Sequence, residues 1–307
     1  MVTSCQEDSS MVARNMESFH ILVIFVLILT ITTAAVGLFV HTPHPVTNAT
    51  NSYGQGMVAY GYGIYAHDDA FKAPIFRGTD LTMLVLVIPT TIMVLVNDMK
   101  KTSNSRRLFL TSLMGVFLYY AISMSFGVIA NAMLLVYIAL VSASFFALIL
   151  GIPSVGDGTW KDTVTATMDR KGTRIFLVLS SIALVVAWLP DIVAALISRG
   201  PLATLGVYTT EITYVLDMAI IAPACLMCLN GLSNRKHYVV MVLSLLFTLC
   251  VTIGIMVPIQ SVFQYLDGIV FPLPVMLTKV LSFCVLAFFA AFFEVRLLKA
   301  AEKRISM

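Results

Sequence analysis

The sequence predicts an all-α fold: a polytopic transmembrane helix bundle of eight spans with both termini cytoplasmic. Three observations lead there. Of 307 residues, 59% are hydrophobic and only 11% charged, too few polar groups to cover a water-facing surface. Apolar runs of about 18 or more residues recur, and a helix of that length crosses roughly 30 Å of hydrocarbon. Lysine and arginine collect in alternate connections, which sets the direction of each crossing.

The spans read as 21–41, 79–97, 108–127, 133–152, 175–196, 208–231, 239–258 and 274–297. Residues 1–20 form a cytoplasmic segment. Residues 21–297 form one membrane domain with an external loop at 42–78, and 298–307 form a cytoplasmic tail. Span one follows Arg14 and could resemble a signal peptide, but its apolar run exceeds the length of a signal core, so an uncleaved anchor is expected. Cleavage would leave seven spans in the same orientation. Lys100, Lys101, Arg106, Arg107, Lys161, Arg170, Lys171, Arg174, Arg235, Lys236, Arg296, Lys299, Lys303 and Arg304 all fall on one side. The other side carries Lys72, Arg77 and Arg199. The formal charge of +3 belongs to these loops, and no basic, aromatic-interleaved surface points to nucleic acid.

The 42–78 loop holds His44, His67, Asp68 and Asp69, in no compact metal-ligand spacing, so a solvated loop is expected rather than a metal site. Asn48-Ala49-Thr50 fits a glycosylation acceptor, relevant only in a eukaryotic secretory route. Tyr60, Tyr62 and Tyr65 suit a segment lying at the membrane interface. Trp160 falls in the loop after span four. Cys225 and Cys228 form a CxxC late in an apolar helix, where packing is expected rather than redox chemistry.

Ionisable residues inside spans need a partner or a wet cavity, because an isolated charge at mid-membrane costs about 2.5–3.5 kcal/mol on insertion scales. Asp217 lies in the outer half of span six and Lys279 near the outer end of span eight. Opposite charge and similar depth predict that they pair. Asp80, Tyr119, Tyr120, Asn131, Tyr137 and Glu211 fall at comparable depth and are candidates to line one outward-facing ligand cavity with them. Thr79 or Asp80 is placed to cap the start of span two. Pro89 and Pro223 each remove a backbone hydrogen bond, so spans two and six should kink and could open a pocket between them. A last-span lysine also invites a retinal reading. Lys279 lies too near the helix end for it, and Trp188 alone among the tryptophans lies in a span.

"FRGTDLTMLVLVIPTTIMVL" (76–95), "YYAISMSFG" (119–127), "LLVYIALVSASFFALIL" (134–150) and "YVLDMAIIAPACLM" (214–227) resemble segments of a family of uncharacterised bacterial polytopic integral membrane proteins. The resemblance runs from about residue 55 to the last span. It rests most on Gly78-x-Asp80 and on Asp217. It implies a multi-pass protein of the bacterial cell (plasma) membrane and brings no assigned activity.

No nucleotide-binding loop, zinc-protease helix or serine-hydrolase elbow occurs in the chain. The expected function is therefore a binding-type membrane protein, in transport, reception or sensing, with an outward polar cavity for a small ligand. The alternatives are an intramembrane enzyme using Asp217 as acid or base beside Lys279, and a structural or accessory protein whose polar residues hold helices together. The expected partner is the lipid bilayer, with no nucleic acid, metal or cofactor called for.

Overall fold

The computed structural model describes residues 2–51, 53–156, 158–270 and 272–302. The side chains of 2–15, 273–276, 278 and 279 lie outside the described set. Nine helices and a short hairpin make up the described chain: α1 Val2–Phe39, β1 Asn48–Thr50, β2 Gly56–Val58, α2 Ala73–Lys100, α3 Asn104–Gly127, α4 Leu134–Ser154, α5 Thr159–Met168, α6 Lys171–Ser198, α7 Ile212–Ser233, α8 Tyr238–Leu266 and α9 Leu273–Glu302. Eight of them, all but α5, are long and apolar enough to cross a membrane. The protein is thus an integral membrane helix bundle of the multi-pass kind.

The helices alternate in direction between two faces. One face bears the 40–72 loop and the turns at 128–133, 199–211 and 267–272. The opposite face bears the basic residues that close α2, α7 and α9 and open α3 and α6. These are called the loop face and the basic face below. At the basic end, Ser103 caps α3 by accepting the Arg106 amide, in the manner expected of a serine at a helix start.

Helix α8 is the hub. It packs against α9, α2, α3 and α7, and α1 closes the bundle against α4 and α2. One cluster of buried side chains, including Phe19, Val23 and Val26 of α1, joins α1 to α4 through the depth of the bundle. A second joins α3, α5, α6, α7, α8 and α9 toward the basic face around Phe176, Phe247 and Phe293. Two glycines set the closeness of α8 to its neighbours. A Cβ on Gly78 would lie 2.6 Å from the Gln260 Cα, and one on Gly254 would lie 2.2 Å from the Ala287 Cβ. Small residues at these crossings allow the backbone approach on which helix association in lipid depends.

Several boundaries differ from expectation, each for a physical reason. Span two starts at Ala73, with Pro74 in its first turn, where a missing N–H costs nothing. Thr79 and Asp80 are therefore inside the helix and cap nothing; the Thr79 hydroxyl donates back to the Ile75 carbonyl at 2.9 Å. Helix α8 runs through Pro258 to Leu266, so Gln260 and Gln264 lie within it rather than after it. Their amides donate to Thr79 Oγ1 at 2.8 Å and to the Phe71 carbonyl at 3.1 Å, anchoring that extension to α2 and its approach. Trp160 lies in α5, a helix rather than a loop, whose Val164 and Met168 recur at helical spacing and are buried.

The expected irregularities in spans two and six are present in one specific form. Met83–Val87 in α2 and Asp217–Ile221 in α7 are π-turns. In each, the residue just before the proline donates its amide five residues back: Ile88 to the Met83 carbonyl, Ala222 to the Asp217 carbonyl. Widening the turn ahead of Pro89 and Pro223 relieves the clash that a proline ring makes with the preceding turn.

Candidate functional site

Asp80 and Asp217 sit about 10 Å and 8 Å below the loop-face ends of α2 and α7, from their sequence offsets and a rise of about 1.5 Å per residue. They occupy two separate polar clusters. Asp80 is 0% exposed. Its Oδ1 accepts from the Tyr120 hydroxyl and its Oδ2 from the Tyr65 hydroxyl, both at 2.6 Å. Tyr137 is also fully buried in this cluster, and its hydroxyl accepts a 3.5 Å contact from Asn131 Nδ2. Gly37 of α1 closes the same space: a Cβ there would lie 2.0 Å from Asp80 Oδ2. Tyr65 differs from its expected interfacial position: it dips from the loop into the bundle, and burial together with Asp80 raises its phenol well above the ordinary range.

Asp217 is 4% exposed. Its Oδ2 accepts from Trp188 Nε1 at 2.9 Å and its Oδ1 from the Tyr119 hydroxyl at 3.3 Å. The Trp188 ring stacks on Tyr214, centroids 4.5 Å apart, and the Tyr214 hydroxyl donates to Asp191 Oδ2 at 2.9 Å. The side chain of Lys279 lies outside the described residues, so the expected Asp217–Lys279 pair has no described geometry. Tyr119 and Tyr120, neighbours on α3, point about 100° apart around the helix and serve different aspartates. Of the candidate residues, Asp80, Tyr120, Tyr137 and Asn131 are thus brought together on the α1 side, and Asp217 and Tyr119 on the α6–α7 side.

Glu211 opens α7 and pairs with Lys72 at 2.5 Å, while Thr204 Oγ1 donates to the same oxygen at 3.2 Å. Burial raises the Glu211 carboxyl above its ordinary value, and Lys72 opposes that rise. Glu211 and Tyr214, with Thr210, Ile192, Leu202 and Met218, line a cleft of about 300 Å³ between the loop-face halves of α6 and α7. Tyr214 therefore has two sides, one toward the cleft and one against Trp188, which holds Asp217.

Above the helices the connections are tied into a cap. Asp68, 1% exposed, accepts from the Ile129 amide and the Tyr208 hydroxyl, both at 2.8 Å. Burial raises the Asp68 carboxyl to about 7, against those two hydrogen bonds and nearby Lys72. Asn51 donates to the Gly206 carbonyl at 2.9 Å. Arg77 donates to the Tyr60 hydroxyl at 2.7 Å, and Tyr60 donates to Asp267 at 2.9 Å. Asp68 is engaged here, and among the described residues no group of three His, Cys, Asp or Glu is placed to hold a metal ion.

Two buried carboxyls on the basic half were missed by sequence reasoning. Glu294 of α9 is 5% exposed and accepts from Ser244 at 2.7 Å and Thr248 at 3.3 Å on α8, with Ser112 of α3 donating on to Ser244 at 2.9 Å. The available signal was a glutamate inside the run FFEVRLL, opposite a Ser-x-x-x-Thr spacing on the preceding span. Asp98 at the end of α2 faces His20 at 3.0 Å and Arg107 at 3.7 Å. Cys225 and Cys228 are free and buried in the packing of α7.

No protein-family model, curated protein or solved structure matches the chain. The class that the architecture defines is an integral membrane helix bundle, and further assignment rests on the site.

Proposed function

We propose that the protein is a binding-type membrane protein, acting in transport, reception or sensing, which takes a small cationic or hydrogen-bond-donating ligand from the outer side at the α6–α7 cleft. The observation that carries this reading is the shared position of Tyr214. Its ring lines the cleft that contains Glu211 and also stacks on Trp188, which donates to Asp217. A ligand seated beside Glu211 would press on Tyr214 and change the hold on a carboxyl that stands at the start of the π-turn ahead of Pro223. Such turns often mark functional positions in helices. A cleft of mixed apolar and polar lining with one carboxylate, Glu211, and an aromatic face suits an organic cation.

Asp80 favours a different role for its own cluster. Both its oxygens are occupied by phenols and Gly37 of α1 seals it, so it acts as a clasp between α2, α3 and the 40–72 loop. We place the protein in a bacterial plasma membrane with the loop face outward, on the resemblance of its spans and on the lysine and arginine distribution.

The test is thermal unfolding of purified protein in detergent with choline, spermidine and arginine as probes. At least one probe should raise the midpoint in wild type and lose its effect in Glu211→Gln or Tyr214→Ala. If no probe shifts the wild type, or if the variants respond as the wild type does, the cleft is not the binding site.

A further inference from the structure

The basic half of the molecule carries a groove that neither the Asp217 cluster nor the cap accounts for. Its volume is about 790 Å³, and it lies between the short helix α5 and the last turns of α9. One wall is a stripe on α9: Phe288, Phe292 and Val295, then Lys299. These positions share one helix face, and the eleven helical steps from first to last span about 16 Å, close to the depth of one leaflet's hydrocarbon. Phe288 is 72% exposed and Phe292 58%. The other wall is α5, which presents Thr163 and Thr167 at the basic end.

An ordinary lipid-facing helix surface is apolar and convex. This one is made concave at headgroup depth, because α5 lies against α9 through buried Val164 and Met168. The charge at its mouth is positive. Arg296 is held in place by donating to the Thr167 carbonyl at 3.0 Å. Lys299 is exposed and forms no ion pair among the described residues. Asp162 on α5 is turned toward His237 at 3.0 Å instead.

We propose that this groove is a binding site for an anionic phospholipid of the cytoplasmic leaflet. The phosphate sits between Lys299 and Arg296, beside Thr163 and Thr167, whose hydroxyls donate back to the Thr159 and Thr163 carbonyls, and one acyl chain lies along Val295, Phe292 and Phe288. The argument is charge complementarity at one end and apolar length at the other. Basic pockets between membrane helices at this depth select anionic headgroups over zwitterionic ones. The site is independent of the outer cleft, so either can fail without the other.

Native mass spectrometry of the full chain in detergent, titrated with phosphatidylglycerol or with phosphatidylcholine of the same acyl chains, tests it. Phosphatidylglycerol should be retained more tightly. Lys299→Gln should weaken it about fivefold, the effect of one basic residue near the surface, and leave phosphatidylcholine unchanged. Thr163→Tyr, which narrows the groove without altering charge, should weaken phosphatidylglycerol too. Lys236→Gln, a basic residue away from the groove, should have no effect. Equal retention of both lipids by wild type, or unchanged phosphatidylglycerol binding in both groove variants, overturns the proposal. Displacement of bound phosphatidylglycerol by inorganic phosphate at equal concentration would also overturn it, because the site would then be one for a free anion.

Discussion

Tyr120→Phe is the sharpest probe of the Asp80 clasp. The substitution keeps the ring in its fully buried place and removes only the hydroxyl that reaches Asp80 Oδ1 at 2.6 Å. No water replaces the donor easily, since Asp80 is 0% exposed and Gly37 closes the space beside it. A hydrogen bond to a buried carboxyl is worth about 1.5–3 kcal/mol when one partner is deleted. For a chain of this size, that corresponds to a fall of roughly 2–5 °C in the unfolding midpoint. Tyr65→Phe should cost a similar amount, because its hydroxyl meets Oδ2 at the same distance. Asp80→Leu alone leaves both phenols without an acceptor and should be worse than either. Combining Asp80→Leu with both phenylalanines removes every unmatched polar group and should recover part of the loss. The assay is a double-mutant cycle by thermal unfolding in detergent. A Tyr120→Phe midpoint within about a degree of wild type, or losses at Asp80 and Tyr120 that simply add, would refute the clasp.

Two further outcomes are expected. Asp68 has its carboxyl raised from 3.8 to about 7 by burial, so the folded state binds its proton more tightly than the unfolded chain does. Its contribution is fully present below about pH 4 and is lost as pH rises through about 7, by at most about 4 kcal/mol at about 1.4 kcal/mol per pH unit. Wild type should therefore lose stability relative to Asp68→Asn over that window, and parallel pH profiles would show that Asp68 does not titrate this way. Cysteines placed singly in 98–107, 153–174 and 232–238 should resist an impermeant thiol reagent applied to intact cells, and efficient labelling there would invert the orientation.

Hydropathy gives the depth of a residue but not its azimuth, and this divides what was legible from what was not. The eight spans, an irregular turn beside each of Pro89 and Pro223, and the shared depth of Asp80 and Asp217 all follow from one-dimensional patterns. Tyr119 and Tyr120 look interchangeable by depth, yet one helical step sends them to different aspartates. Opposite charge pointed to Lys279 for Asp217, and the side chain of Lys279 lies outside the described residues; the described donors are an indole and a phenol, which no charge pattern marks. Glu294 was hidden because a glutamate two residues before Arg296 reads as the end of a span. Helix α5 was hidden because TWKDTVTATM is rich in β-branched threonine, weak in intrinsic helix propensity, and is fixed by packing on α9.

The cap also has a consequence in time. The 42–72 segment is among the first parts of the chain to be made, yet its partners come late. Asp68 waits for Ile129 and then Tyr208, and Tyr60 waits for Asp267, 207 residues downstream. Contacts of such high contact order pay their loop-closure entropy last. During synthesis the early helices must therefore hold together through α1 to α4 alone, with the segment above them tied only by its early contacts, Tyr65 to Asp80 and Tyr60 to Arg77. Its last latch, Tyr60 to Asp267, closes after α8 has been made and before α9 follows: full protection of residues 42–72 from a protease at the loop face should appear only once the chain has been made past Asp267.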